Sequence, residues 1–205
     1  MSTKIAVVYY SSTGFVHQIA QAIAQGAEAE GAEVRLRRAP ELAPPAAIAA
    51  NPAWQAHHDA TSGSVPEATP DDMVWADGYA LGTPTRFGNP SAQLKQFIDT
   101  LGGQWQSGAL ANKAATAFTS AMNLHGGNES TILAVENVFH HWGAVIVPPG
   151  YTDASIFAHG GNPYGTAVAS GGLQDGKVDD GLLGVARYQG ARLAKVAGLI
   201  APMRG

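Results

Sequence analysis

Three short stretches of this 205-residue chain carry residue types that can do chemistry at a shared site. The first is Ser11-Ser12-Thr13-Gly14, which directly follows the apolar run Ile5–Tyr10 and directly precedes a helical pattern. Three hydroxyls and a glycine at a helix N-terminus offer backbone N–H and O–H donors to one compact anion. The loop contains no Lys or Arg, and the chain contains neither Gly-x-x-x-x-Gly-Lys nor Gly-x-Gly-x-x-Gly. That argues against nucleoside triphosphates and dinucleotides and leaves a terminal phosphate monoester as the ligand these donors suit best. The competing reading is an ordinary Ser/Thr helix cap.

The second stretch, Thr83-Pro-Thr-Arg-Phe-Gly-Asn-Pro90, is a turn bracketed by glycine and proline. Its peptide N–H groups suit the edge of a flat heterocycle, Arg86 suits electron-rich carbonyl or ring-nitrogen positions, and Phe87 can pack beside a ring. The third, Ser120 to Gly127, has small or flexible residues that let backbone amides approach a ligand, and it is long for a strand-to-helix connection. Trp105, flanked by glycines on a loop, suits the wall of a planar-substrate pocket or a cover for the core. His140-His141 falls near a helix C-terminus, where the dipole favours it; one of the two could donate a hydrogen bond to a ligand. His57-His58 reads as part of a solvated loop, because adjacent side chains point apart. Asp71-Asp72 reads as helix N-terminal charge. There is no Gly-x-Ser-x-Gly elbow and no His-Glu-x-x-His helix.

Strands and helices must position these loops, and the pattern supplies them in alternation. Ile5–Tyr10 is apolar on both faces, as expected of a strand covered on both sides in a parallel sheet. Phe15, Ile19, Ile23 and Ala27 mark a helical face that ends at Gly31. Val34 and Leu36 suggest a second strand. Residues 40–70 hold six prolines without a period and read as a long excursion, with one helical turn near residues 46–56. A short helix at 71–76, a strand at 78–82, a Ser91-capped helix stopped by Gly102-Gly103, a strand at 114–119, a helix at 129–142, a strand at 144–147, a Gly-rich region at 148–180 and a helix at 182–200 complete the chain. This alternation predicts an α/β fold with a doubly wound parallel sheet of five strands in the order 2-1-3-4-5. That order gathers the loops after strands 1, 3 and 4 at one carboxyl edge beside the switch point.

Composition narrows the function classes. A 45% hydrophobic content is enough to bury a full core as one domain over residues 1–205. The formal charge of −4, without a basic cluster, gives no support for nucleic-acid binding. The absence of cysteine excludes disulfides, thiolate zinc sites and cysteine nucleophiles. No signal-peptide pattern and no apolar run of roughly 20 residues occurs, so a soluble cytoplasmic protein without stable membrane insertion is expected.

Taken together, Tyr-Tyr-Ser-x-x-Gly at 9–14, Gly-Thr-Pro-Thr-Arg-Phe-Gly-Asn at 82–89, Gly-Gly-x-Trp at 102–105, Phe-Thr-Ser at 118–120, His-Gly-Gly-x-Glu at 125–129, His-His-x-Gly at 140–143 and Ala-Arg-Tyr-Gln-Gly at 186–190 resemble a known family. It is that of the flavodoxin-like NAD(P)H:quinone oxidoreductases once named tryptophan-repressor-binding proteins. The resemblance runs from residue 4 to about 195. It implies a flavodoxin-like fold, noncovalently held FMN, NADH or NADPH as co-substrate, a quinone as substrate, and a homotetramer built as a dimer of dimers. By resemblance, Ser11, Ser12, Thr13, Gly14, Phe15 and Val16 hold the FMN phosphate. Pro84, Thr85, Arg86, Phe87 and Gly88, with Ser120, Ala121, Met122, Asn123, Leu124, His125, Gly126 and Gly127, hold ribityl and ring. Trp105 lines the quinone and nicotinamide position, and His140, with His141 as runner-up, contacts the flavin.

Two departures stand out. Thr13 occupies the place where the family carries a nicotinamide-contacting aromatic, and Met122-Asn123-Leu124 replaces small, mostly hydroxylated residues. The implied activity is a two-step exchange in which NAD(P)H reduces the flavin, leaves, and is replaced by a quinone that takes two electrons. No protein nucleophile is required. The rivals are a flavodoxin-type one-electron carrier and a non-catalytic flavin-binding regulatory or scaffold module.

Overall fold

The computed structural model describes residues 2–173 and 175–204; Met1, Gln174 and Gly205, which the sequence reading includes, lie outside the described residues. The chain opens with β1 (Lys4–Tyr9), α1 (Phe15–Ala29) and β2 (Glu33–Arg38). The excursion follows as α2 (Pro45–Ala49) and α3 (Pro52–Thr61), and α4 (Pro70–Trp75) leads into β3 (Gly78–Arg86) and β4 (Asn89–Pro90). Then come α5 (Ala92–Asp99), α6 (Gly102–Gln106), β5 (Ala114–Ala121), α7 (Asn128–Trp142) and β6 (Val145–Ile146). The chain closes with α8 (Ala154–Ala158), β7 (Ala167–Ala169) and α9 (Asp180–Ile200).

The sheet runs β2-β1-β3-β5-β6, and every pairing along that path is parallel. The strands expected as fourth and fifth are β5 and β6, so the order matches the expected one. Along β1, Ile5, Val7 and Tyr9 join the core beneath α1 and α9, whereas Ala6, Val8 and, just past the strand, Tyr10 join the core beneath α5 and α7. A period of two divides an all-apolar strand between two cores, which is why the sheet is covered on both faces. The helices α1 and α9 cross closely at Gly26 and Gly190. A methyl group on Gly26 would lie 1.9 Å from the Arg187 carbonyl oxygen, and one on Gly190 would lie 2.0 Å from that of Ile23. Among the described residues, no helix is long and apolar enough to cross a membrane.

The structure departs from the sequence reading in four places. The prolines of the excursion start helices instead of preventing them: Pro45 and Pro52 occupy first-turn positions, where a missing N–H costs nothing. Asn51 accepts hydrogen bonds from Ala53 N and Trp54 N, and this cap carries α3 across His57-His58, which is therefore helical. Gly102-Gly103 begins α6 instead of an open loop, so Trp105 is a helical residue. The edge expected from residues 144–147 is shared by two segments, β6 on Ala114–Ala115 and β7 on Thr119–Ala121.

That return to the sheet rests on one buried side chain. Gln189 Oε1 accepts from Thr166 N and Thr166 Oγ1 at 2.8 and 2.7 Å. Gln189 Nε2 donates to Thr116 Oγ1 and to the Ala117 carbonyl at 2.7 and 2.9 Å. Gln189 is fully buried and uses both ends of its amide, so the end of the Gly-rich region is fixed against β5.

The helix crossing gives a direct test. Gly26→Ala places a methyl group inside backbone that no side-chain rotation can clear, so the helices must separate. We expect a loss of about 3 kcal/mol, the upper end of ordinary overpacking, read as a lowered urea midpoint.

Candidate functional site

The loop after β1 is built to leave donors unpaired. Gly14 takes φ 93° as the N-cap of α1, and its own N–H donates to Ser11 Oγ at 3.0 Å. No side chain caps the helix and its first turn holds no acidic residue. The first intrahelical bond recorded there runs from Gln18 N to the Gly14 carbonyl. Among the described residues, the amides of Ser12, Thr13, Phe15, Val16 and His17 have no hydrogen-bond acceptor. Unpaired N–H groups at the positive end of a 15-residue helix suit a phosphate. The Val16 side chain itself is buried in the core and Phe15 packs against it, so those two residues present backbone to the site.

The loop after β3 is a hairpin. Arg86 pairs with Asn89, and Phe87 and Gly88 turn the chain at φ 54° and 77°. Positive φ at both central positions is the mark of a type I′ turn. A phenylalanine in that conformation is unusual, and here its side chain is fully exposed. Arg86 Nη1 donates to the Thr85 carbonyl at 3.0 Å, and Nη2 reaches Ser12 Oγ at 3.5 Å. Thr85 Oγ1 accepts from Thr131 Oγ1 at 2.7 Å and from Gly88 N at 3.2 Å, which ties the hairpin to α7.

The loop after β5 closes the third side. Ser170 Oγ donates to the Ala121 carbonyl at 3.1 Å and Gly171 N to the Met122 carbonyl at 2.8 Å. The amides of Asn123, Leu124 and His125 have no acceptor among the described residues. Met122 and Leu124 leave apolar side chains exposed at 73% and 54%.

Between these loops lies one cleft of about 310 Å³, lined by Ser12, Thr13, Pro84, Thr85, Arg86, Ser120, Ala121, Met122, Asn123, Gly126 and Ser170. Its size falls in the range of small-molecule sites. Ser11, Gly14, Phe15, Val16, Phe87, Gly88, Leu124, His125 and Gly127 flank it without lining it. Ser170 is the one lining residue absent from the sequence reading. It comes from the Gly-rich region, whose aperiodic sequence gives no sign that β7 returns to the sheet.

Two residues expected at the site stand elsewhere in the chain. His140 is in the last turn of α7, twelve residues beyond Asn128, or about 18 Å along the helix axis. Trp105 lies with Ile98, Leu101, His141 and Trp142 around a separate concavity of about 290 Å³, and its Nε1 donates to the His141 carbonyl at 2.8 Å. Within one chain neither reaches the cleft. Among the described residues no three metal-ligating side chains cluster. His57 instead packs its ring on His17, with ring centroids 5.3 Å apart, beside Gly14.

The excursion is fastened to the first loop by Glu41. Its Oε2 accepts from Tyr10 Oη at 2.9 Å and Trp54 Nε1 at 3.2 Å. Its Oε1 accepts from Gln93 Nε2 at 2.8 Å and from the amides of Leu42 and Ala43 at 2.8 and 2.9 Å. Burial alone would push this carboxyl up, but the donors outweigh it and hold Glu41 below the ordinary carboxylate value.

Comparison with known proteins identifies the family and the fold of the chain. Residues 3–158 match the family described as NADPH-dependent FMN reductase. The chain is 50% identical over 169 residues to an NAD(P)H dehydrogenase (quinone) of Deinococcus radiodurans, covering 82% of this chain and 84% of that one. It is 40% identical over 203 residues to a protein of the same name from Geobacter sulfurreducens, covering 95% and 97%. Its fold superposes on a WrbA-like flavodoxin from Agrobacterium tumefaciens with a TM-score of 0.70 at 26% identity, over 97% of this chain and 99% of that chain. A flavodoxin from the domain Archaea, at 17% identity, shares the fold with a TM-score of 0.62.

The Glu41 cluster predicts a pH signature. Because the folded carboxyl is depressed, its stabilisation is complete above the unfolded value of about 4.3 and is lost as pH falls through the folded value. Glu41→Gln sets an amide NH₂ against donors. It should cost about 1–3 kcal/mol near neutrality and flatten the acid limb of the urea midpoint against pH.

Proposed function

The chain belongs to the NADPH-dependent FMN reductase family, and from that premise we propose that it is an FMN-dependent NAD(P)H:quinone oxidoreductase, with FMN as its resident cofactor. The observation that carries this reading is that two loops with unpartnered amides, through Ser12 and Thr13 of one and Asn123 of the other, line one cleft together with Arg86. The donor set fits the group. The amides of Ser12, Thr13, Phe15, Val16 and His17 match the several acceptors of a phosphate monoester. The amides of Asn123, Leu124 and His125 match the acceptor atoms along one edge of a flavin ring. Bound FMN supplies the two-electron and hydride chemistry that no side chain of this chain supplies.

The residues around the cleft bind, orient and shield. Arg86 sets a positive charge at the polar edge of the site, where it favours an electron-rich ligand. Pro84 and Thr85 hold that edge to β3 and α7. Phe87 and Met122 present apolar surface on either rim, which suits a planar substrate and keeps water from its face. We infer that nicotinamide and quinone use the same face of the bound cofactor in turn. That arrangement is an exchange scheme, in which oxidised nicotinamide leaves before quinone enters. Initial rates at several fixed quinone concentrations should give parallel double-reciprocal lines, and intersecting lines would contradict the scheme.

The reading takes the chain as one FMN-binding domain in a cytoplasmic homotetramer. Its support is the family resemblance together with Trp105 and His140, which stand too far from the cleft of their own chain to serve it. Light scattering tests the assembly, and a monomer at working concentration would overturn it.

The direct test of function is anaerobic. Protein loaded with FMN and passed through gel filtration should retain its visible flavin bands, lose them on addition of NADH or NADPH, and regain them on addition of a soluble quinone. Retained bands that do not bleach would favour the one-electron carrier. Arg86→Ala should weaken FMN binding about tenfold, or ~1.4 kcal/mol, through loss of a charge-assisted contact, read by quenching of flavin fluorescence.

A further inference from the structure

The first loop offers a dianion many neutral donors and no cation of its own. The structure places two imidazoles directly behind it. His17 is the third residue of α1, and its Nδ1 is held by the Tyr9 hydroxyl at 2.5 Å. His57 reaches the same place from α3, its ring 5.3 Å from that of His17, and a methyl group on Gly14 would lie 3.4 Å from His57 Nδ1. We propose that the His17–His57 pair is part of the cofactor-phosphate site: it takes up one proton when the phosphate binds and supplies the cationic charge the loop lacks. The proposal rests on the reading of this chain as an FMN protein.

The surroundings explain why the proton waits for the ligand. A cation in the first turn of a helix opposes the helix dipole, and His17 sits there. The other titratable or charged groups facing His57 are His58 beside it, Tyr9 and Tyr10 from β1 and its end, Arg38 from β2, and Glu41. Arg38 is already paired with Glu67 at 2.9 Å, and both Glu41 oxygens are occupied by donors. Tyr9 and Tyr10 are pushed up, first by burial, so they stay neutral. Among the described residues no carboxylate pairs with either imidazole, and the Glu41 charge is held by other donors. Burial, with His17 and His58 adding to it, lowers His57 to about 4, and burial lowers His17 too. A dianion on the amides of the same turn reverses the sign of the local field. It should return the pair to the ordinary imidazole range near about 6.5.

The linkage has a definite sign. A group raised on binding strengthens affinity below its bound-state pKa, and that gain disappears as pH rises through this value. FMN dissociation constants would be measured by flavin fluorescence quenching for wild type and His57→Gln between about pH 5.5 and 8.5. The ratio of variant to wild type should stay within about twofold at pH 8.5 and reach about tenfold at pH 5.5, as a return to ~6.5 requires. The ionisation of free FMN phosphate near about 6 is common to both proteins and cancels in the ratio. Riboflavin, which has no phosphate, should show no such trend.

His57→Lys supplies a fixed charge, so it should bind FMN more tightly than His57→Gln at every pH. A ratio independent of pH, or an equal trend with riboflavin, would overturn the proposal. Should either variant fail to fold, ¹⁵N imidazole spectra of wild type decide: the pair must gain at least one pKa unit on adding FMN, and an unchanged titration refutes it. If wild type does not bind FMN at any pH, the functional reading falls and this inference with it. Binding without the histidine linkage removes the inference alone.

Discussion

Helix α1 begins without a side-chain cap, and much of the surrounding structure is arranged around that shortage of acceptors. The first-turn amides of any helix lack intrahelical partners, and among the described residues those of Phe15, Val16 and His17 find no other acceptor. In most helices a Ser, Thr, Asp or Asn side chain would satisfy one of them. Here Ser11 Oγ is spent on the amide of Gly14 itself, and no carboxylate is recorded at the turn. Gln18 closes the other side. Its Nε2 donates to the Gly176 carbonyl and its Oε1 accepts from Val178 N, which holds a distant segment against the loop without occupying its donors. A turn with this many donors open to solvent is well suited to an anion that replaces the water on them.

The rest of the site is held by buried polar side chains rather than by apolar packing, and geometry gives the reason. Apolar contacts fix a distance between elements loosely, whereas a fully satisfied amide or carboxylate fixes a register. Gln189 sets β7 against β5 and thereby delivers Ser170 to the cleft. Thr83 and Ser91 bond each other, and Thr119 Oγ1 donates to the Thr83 carbonyl at 2.6 Å, so the ends of β3 and β5 are locked side by side. Glu41 plays the same part for the excursion, bringing Trp54 and hence α3 towards Tyr10. Each clamp ties a loop of irregular sequence to a strand of regular sequence.

That division explains what could be read from the sequence. The strand Ile5–Tyr10 and the helix with Ile19 and Ile23 follow from period alone, and the first, third and fifth strands then gather their loops by topology. The cleft was legible for the same reason, since Ser12, Arg86 and Ser120 all follow strands whose positions the pattern fixes. The excursion was not. Pro45 and Pro52 read as breaks because nothing local distinguishes a proline that ends a helix from one that begins it, and only the cap at Asn51 decides. His57 consequently looked solvated, although the helix that carries it lays its ring on His17. Ser170 was hidden because the partner that orders its segment, Gln189, is nineteen residues further along the chain.

Trp105 and His140 show what a single chain leaves open. The last turn of α7 holds His140 and His141, and Trp105 donates to the carbonyl of His141, so α6 and that turn form one patch. The cleft lies at the other end of α7, where the third loop meets Asn128. A rigid helix of four turns separates the two, and no side-chain motion spans it. These residues can therefore meet a bound cofactor only if it is held by another copy of the chain. Phe87, Met122 and Leu124 leave apolar side chains exposed on the loops that form the cleft. Within one chain, the motifs at 102–105 and 140–143 therefore stand at one end of α7 and the cleft lined from 9–14 and 82–89 at the other, so a single copy does not bring them into one site.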